Sequence, residues 1–503
     1  MRTIQLAAAT VVASLFYSLI GGISLTAAAD HPLMAAVKMG DASAAQRLLA
    51  EGEDPDVPQG DGATALLWAS HRDDLVMASL LMDAGADPNA PDAHGVTALA
   101  LACLNGSVPM VEFLLDAGAD PNLARTNGVT PLMTASRVGN VDVVRRLLAA
   151  SADPTAGESR RGQTALMWAA AEGHVAVANV LLETGGGATT RSANGFTPLL
   201  FAAQQGNRDI ARLLLTAGAG VDEAAPDGIG GDTNARTLFR ADTQASALLV
   251  AIDSGHAAMA LFLIEEGADP NHHGAGRTAL HAATQQEMPE VVRALLAAGA
   301  DPNARLTKRT PYLSRYIRLG NGLVPDLVGA TPFWLAASYG DLEIMQILVD
   351  AGADPVLRSR DGTTALMVAA GADYVEGQDK YGRRSFPAYY ETLQQRALEA
   401  IKYCLDLGLD INAVNDNGQT PLHGGVYIGG TLIVPFLVAQ GAQLDVINRR
   451  GQTPWMIAAQ GEYRAGSFNL HEDTARILED LGADTTIGFD LGIDFRDKLT
   501  TAR

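Results

Sequence analysis

Side chains able to do chemistry are spread along the 503 residues in patterns that point away from catalysis. Carboxylates recur at Asp87, Asp120, Asp153, Asp269, Asp301, Asp354 and Asp484, each in a Gly-Ala-Asp or Ser-Ala-Asp turn. Such a ladder suggests calcium, which needs roughly six or more oxygens at about 2.4 Å. Residues one repeat apart sit about 10 Å from each other, one helix-packing distance, so the spacing predicts turn-forming Asp residues instead. His272 and His273 offer adjacent imidazoles on a loop, too few for zinc, and His281 falls in the following helix. Gly228, Gly230 and Gly231 lack the flanking strand and helix of a phosphate loop. Neither Gly-x-Ser-x-Gly nor His-Glu-x-x-His occurs, and Cys103 and Cys404 have no His in sequence reach. We expect no catalytic residue, no cofactor and no metal ligand.

Charge narrows the partners. The formal net charge of −21 opposes nonspecific binding to nucleic acid, which needs clustered Lys and Arg, and to anionic membrane surfaces. One segment runs against this trend: Arg305, Lys308, Arg309, Arg315 and Arg318 alternate with Tyr312 and Tyr316. That pattern predicts a local binding feature. A second concentration, Tyr374, Tyr381, Phe386, Tyr389 and Tyr390, stands out in a chain only 5% aromatic.

A repeat positions these groups. Gly62-Ala-Thr-Ala-Leu returns as Gly95-Val-Thr-Ala-Leu, Gly128-Val-Thr-Pro-Leu, Gly162-Gln-Thr-Ala-Leu and Gly195-Phe-Thr-Pro-Leu, every 33 or 34 residues. Later copies start at Gly276, Gly329, Gly362, Gly418 and Gly451. The Thr caps a first helix and Pro is harmless in its first turn, where the N–H has no partner. A second helix carries apolar residues at i, i+3 and i+4, as in Val111, Leu114 and Leu115. Gly118 then supplies a left-handed C-terminus. One such unit cannot bury its apolar face, so stacking must close the core.

This period, with Thr278-Ala-Leu-His281 and Thr420-Pro-Leu-His423, resembles the ankyrin repeat. The resemblance implies an all-α ankyrin-repeat solenoid. About twelve helix pairs are expected in one continuous right-handed stack, with no sheet beyond short hairpin fingers. Residues 30–61 form an N-terminal capping repeat, 62–486 the array and 487–503 a tail. The seventh unit begins irregularly, with Gln244 for Gly and Ser246 for Thr. Four insertions interrupt the period, near 223–242, 305–327, 371–394 and 462–470. The finger at Arg305 to Trp334 is similar to one found in a subgroup of exported bacterial ankyrin-repeat proteins. Cys103 and Cys404 fall at core positions about seven repeats apart and are expected as buried, free thiols. Gly424 and Gly425 remove side chains from a first helix; either they loosen a surface turn, or an aromatic of the third insertion fills the space.

The resemblance also implies where a partner binds: the concave face, made by finger residues and the ends of the first helices. Those positions hold His71, Arg72, Leu104, Asn105, Arg137, Val138, Phe196, Gln204, Gln205, Gln285, Gln286, Tyr339, Tyr427 and Ile428. Arg309, Tyr312, Arg315 and Tyr316 of the basic finger join them as candidates.

Residues 1–29 read as an export signal: Arg2, an uncharged apolar run from Leu6 to Leu25, then Ala27-Ala28-Ala29 before Asp30. Cleavage is expected after Ala29, with an uncleaved anchor as the alternative, the only expected contact with a membrane. The expected location is periplasmic or secreted. The expected function is a non-catalytic scaffold or adaptor binding one protein. Alternatives are a chaperone or regulatory subunit of an envelope enzyme, and an enzyme whose site is built on the insertions.

Overall fold

The computed structural model describes residues 31–225, 244–307, 327–372, 388–464 and 467–487. The signal segment, most of the first two insertions and the C-terminal tail lie outside these ranges. Among the described residues there are 24 helices, arranged as the expected twelve pairs.

The chain divides into two compact units, Met1–Ser159 and Arg160–Arg503. The first unit holds four pairs: α1 (Pro32–Met39) and α2 (Ala42–Ala50), α3 (Ala65–His71) and α4 (Leu75–Asp83), α5 (Ala98–Asn105) and α6 (Val108–Asp116), α7 (Pro131–Val138) and α8 (Val141–Ala149). Its last turn has Thr155 where earlier turns have Asn89 and Asn122, and the Thr155 hydroxyl donates to Asp153 of its own turn at 2.7 Å.

The second unit holds eight pairs. They begin with α9 (Ala165–Glu172) and α10 (Val175–Glu183), α11 (Pro198–Gln205) and α12 (Arg208–Thr216), α13 (Ala247–Asp253) and α14 (Ala257–Glu265), and α15 (Ala279–Gln285) and α16 (Pro289–Ala297). They continue with α17 (Pro332–Ser338) and α18 (Leu342–Asp350), α19 (Ala365–Ala369) and α20 (Ala388–Asp406), α21 (Pro421–Tyr427) and α22 (Ile433–Ala439), and α23 (Pro454–Gln460) and α24 (Glu472–Asp480).

Local chemistry explains the pairs. Thr97, Thr130, Thr197 and Thr331 each accept a backbone N–H three residues on, capping their first helices. Ser246 does the same in the irregular seventh unit, and Gln244 there takes the left-handed φ of +69° that its neighbours give to Gly. Second helices bury one stripe, such as Met110, Val111 and Leu114, all at 0% exposure. Cys103 and Cys404 lie in this core as free thiols.

Two hydrogen-bond systems tie neighbouring repeats within each unit. At the fingers, a backbone N–H donates to a carbonyl of the finger before it: Ala93 to Asp61, Ala193 to Arg161, Asp416 to Asp361, Arg449 to Asn417. At the turns, an Asn bridges forward. Asn89 Nδ2 donates to the Gly118 carbonyl while its Oδ1 accepts the Asp120 N–H. Asn271, Asn303 and Asn412 repeat this bridge in the second unit. The Asp ladder is thus turn chemistry: Asp87, Asp120, Asp269 and Asp301 each accept the N–H two residues on.

Two insertions depart from the expected form. In the third, residues from Ala388 extend the second helix backward, so α20 has 19 residues where most second helices have nine. In the fourth, Glu462–Arg464 (β1) and Ser467–Asn469 (β2) pair antiparallel between α23 and α24. This small sheet is a correction, since strands were expected only at the fingers.

Described atoms already approach Gly424 and Gly425 closely. A Cβ on Gly424 would stand 2.9 Å from the Ala372 nitrogen and the Met367 oxygen, both backbone atoms. Glycine here lets α21 approach the chain at the end of α19, so no vacancy needs filling. The side chains of the five aromatics lie outside the described residues.

Candidate protein-interaction surface

In the first unit the ends of the first helices form one edge. Lys38 and Met39 end α1, His71 and Arg72 follow on α3, Leu104 and Asn105 end α5, and Arg137 and Val138 end α7. His71, Arg72, Asn105, Arg137 and Val138 are exposed, and Met39 is 82% exposed. The Lys38 ammonium lies 4.8 Å from the centre of the Trp68 ring, a cation–π distance. His71 meets the same indole edge-on at 5.9 Å. Arg72 Nη1 donates to the Lys38 carbonyl at 2.8 Å. Asn105 has a structural task, because its Nδ2 donates to the carbonyls of Ser70 and His71. The half-exposed Trp68 ring is the centre of this cluster, and Lys38 at the end of the preceding first helix is the signal for it in the sequence.

In the second unit the expected residues separate. Phe196 is half-buried, with its ring 5.9 Å from Phe201. Gln205 is exposed and Gln204 half-buried, its carbonyl held by His256 Nε2 at 3.0 Å. Gln286 and Tyr339 are half-buried. Gln285 and Tyr427 are corrections: they are 9% and 1% exposed, so neither presents a side chain to a partner. Tyr427 belongs to a buried polar network. Its hydroxyl accepts from Gln419 Nε2 at 2.9 Å, the Gln419 amide oxygen accepts from Asn415 Nδ2, and Asn415 also donates to Thr363. Gln285 lies two residues from Glu287, which pairs with Arg396 of α20 at 2.8 Å. α20 packs on α17 and α18, with the Arg396 backbone against Gly340 at the end of α17, and Gln394 accepts the Leu432 N–H beside α22. The chain itself therefore covers part of this edge, which the repeat pattern does not reveal.

Arg309, Tyr312, Arg315 and Tyr316 lie outside the described residues. Arg305, at the base of their finger, is a staple: its Nη1 donates to the carbonyls of Gly329 and Arg358. Arg191 does the same to Gly195 and Ala224.

Titratable groups in the core serve the fold. His281 Nδ1 accepts the Thr278 N–H, and its Nε2 reaches the Ala330 carbonyl. His423 Nδ1 accepts the Thr420 N–H in the same way. Burial pushes both imidazoles down to about 4, so they are neutral at pH 7. Burial likewise pushes the Cys404 thiol up to about 12 and raises Cys103, which leaves both unreactive. Arg277, 2% exposed, is paired with Asp253. His272 Nε2 is bonded to the Gln244 carbonyl and His273 Nδ1 to that of Asn271. Among the described residues no three His, Cys, Asp or Glu side chains gather as metal ligands.

Family models for ankyrin repeats match residues 33–125, 132–227 and 229–305 in one three-copy form, residues 393–432 in a many-copy form, and residues 328–360 as a single repeat. The chain belongs to the ankyrin-repeat family. This ankyrin-repeat protein is 32% identical over 250 residues to mouse ankyrin repeat and SOCS box protein 16, covering 47% of this chain and 52% of that one. It is 32% identical over 184 residues to human neurogenic locus notch homolog protein 1, covering 36% of this chain and 6% of that one. Mouse B-cell lymphoma 3 protein homolog is 30% identical over 205 residues, covering 37% and 41%. The chain thus spans about half the length, or less, of these relatives. Among the described residues no helix is long and apolar enough to cross a membrane.

Proposed function

We propose that this ankyrin-repeat protein is a non-catalytic scaffold or adaptor that acts after export and binds a protein partner along the first-helix edge of its first unit. The observation that carries this reading is the cluster of half-buried Lys38 and Trp68 with exposed His71 and Arg72, continued by Arg137 two repeats on. Aromatic and Arg side chains are the groups that most often anchor interfaces. Export rests on the apolar run and the alanines ending at Ala29.

The test is a photo-crosslinking residue placed at Arg72 or Arg137 in the full chain, in its native host. A discrete adduct at those positions, absent with the same residue at Arg145 on α8, supports the reading. Equal labelling at all three, or none, overturns it. Amino-terminal sequencing of the envelope fraction checks the export part; a soluble cytoplasmic chain that begins at Met1 would contradict it.

A further inference from the structure

The first repeat breaks the pattern of the others at two positions, and the two residues meet. Where later first helices are capped by Thr97, Thr130 or Thr197, α1 has His31, whose side chain makes no capping bond. Where later turns bury Ala86, Ala119 and Ala268 after their Gly, the first turn has Glu53 after Gly52. His31 Nε2 stands 3.1 Å from a Glu53 carboxylate oxygen, and the two side chains are 34% and 32% exposed. Giving up a Thr cap weakens the start of a helix. Polar residues suit the capping face of a first repeat, but any polar pair would serve that purpose, and this one leaves a ring nitrogen unused.

The contact decides which nitrogen that is. With Nε2–H donated to Glu53, the lone pair lies on Nδ1. Among the described residues, neither Nδ1 nor the His31 backbone N–H has a hydrogen-bond partner. The N–H is one of the orphan donors at a helix start. Cleavage after Ala29 would make Asp30 the first residue and His31 the second. The α-amino nitrogen, the next amide nitrogen and Nδ1 of a histidine in second place close two fused chelate rings around a metal ion, one five-membered and one six-membered. Pro32 has no N–H, so the metal takes no further backbone nitrogen and the fourth place in the plane falls to water. Planar nitrogen and oxygen ligation of this kind suits Cu(II), which also heads the affinity order of the divalent first-row metals. A carboxylate on the far N–H of a ligating imidazole is the usual outer support, because it fixes the tautomer and the ring orientation.

We infer that the mature amino terminus, Asp30 and His31 with Glu53 behind the ring, binds one Cu(II) ion. The inference rests on the proposed export and on the cut after Ala29. The site needs one imidazole and two backbone nitrogens, so no gathering of metal-binding side chains is required. Amine, amide and imidazole must all be free of protons to bind, so the protons pass to solvent and affinity falls as the pH falls.

The experiment titrates copper(II) chloride into the chain 30–503, made with Asp30 as its first residue, against a competing chelator. The visible absorption band and the electron paramagnetic resonance of nitrogen-bound copper report the site. One equivalent should bind with three nitrogens. The same chain with Gly-Ser-Gly-Ser ahead of Asp30 keeps every side chain but moves the amine out of reach, and it should lose this signal. His31→Thr and Glu53→Ala restore the residue types that other repeats carry, so neither should lower the melting temperature of the metal-free chain. His31→Thr should abolish the site, and Glu53→Ala should weaken it by about tenfold. Copper held equally well by the extended chain or by His31→Thr, or not held at all, overturns the inference and leaves His31 and Glu53 as an end cap. Amino-terminal sequencing of the host protein separates this inference from the export reading. A host chain that begins at Asp30 but binds no copper leaves export standing, whereas a host chain with any other first residue overturns the site whatever the recombinant chain binds.

Discussion

Arg396 donates to the carboxylate of Glu287 at 2.8 Å across 109 residues of chain. Through this pair the tenth helix pair grips the eighth, passing over the ninth: Gly340, at the end of the ninth first helix, would place a Cβ 3.2 Å from the Arg396 backbone. Both charged groups are about one-third exposed, so the pair itself is worth less than ~1 kcal/mol. Arg396→Ala should therefore leave the melting temperature nearly unchanged. It should speed hydrogen exchange of the amides in the first half of α20 relative to its second half. Equal protection in the variant and the parent would show that the pair does not hold the extension down.

The Asn bridge predicts a stabilising substitution. Asn303 Nδ2 donates to the Gly352 carbonyl while its Oδ1 accepts the Asp354 N–H, and Asn412 makes the same two bonds with Gly441 and Gln443. Between these two positions the ladder is missing a rung, because Val356 stands where Asn should. Val356→Asn should form bonds to the Gly408 carbonyl and the Asp410 N–H and raise stability by about 1 kcal/mol. Asn303→Ala should lower it by about as much. Urea denaturation of both variants checks the pair of signs.

Adjacent glycines should respond in opposite directions. Alanine at Gly424 meets backbone at 2.9 Å, which cannot move without shifting α19 against α21, so a loss of about 1–3 kcal/mol is expected. Alanine at Gly425 meets side-chain methyls of Ile433 and Val434 at 3.2 and 3.4 Å. Those can yield, and replacing Gly in a helix gains up to ~1 kcal/mol, so Gly425→Ala should be neutral or stabilising. Thermal melts of the two single variants distinguish the cases.

Acid should unfold the second unit through its histidines. In the folded chain His281 and His423 titrate near 4, against an ordinary 6.5. The native state therefore binds fewer protons than the unfolded state in that window. Their contribution is complete above pH 6.5 and is lost as the pH falls toward 4, at most about 3 kcal/mol for each. The melting temperature should drop across this interval, and His281→Gln should flatten the drop. An unchanged slope in that variant would contradict the assignment.

How much of this was legible in sequence follows from the range of each interaction. Caps, turns and the helix pairs depend on residues within one period, so Thr97 or Gly118 announces its role locally. The burial of Tyr427 involves Gln419 and Asn415, which look like ordinary finger residues in one dimension, and the Arg396 contact with Glu287, beside Gln285, spans two repeats. Arg305 has a role its charge does not announce: one guanidinium nitrogen, Nη1, donates to two carbonyls.

The extended α20 also changes how the second unit should come apart. In a simple repeat array each unit touches only its neighbours, so unfolding proceeds from the ends one repeat at a time. Here one helix bonds to the loop after α15, packs on α17 and α18, and reaches the start of α22. Repeats eight to eleven thereby share a single fastening. They should melt together as one block, while the flanking repeats fray separately, so cooperativity within this array is set by an insertion and not by the repeat.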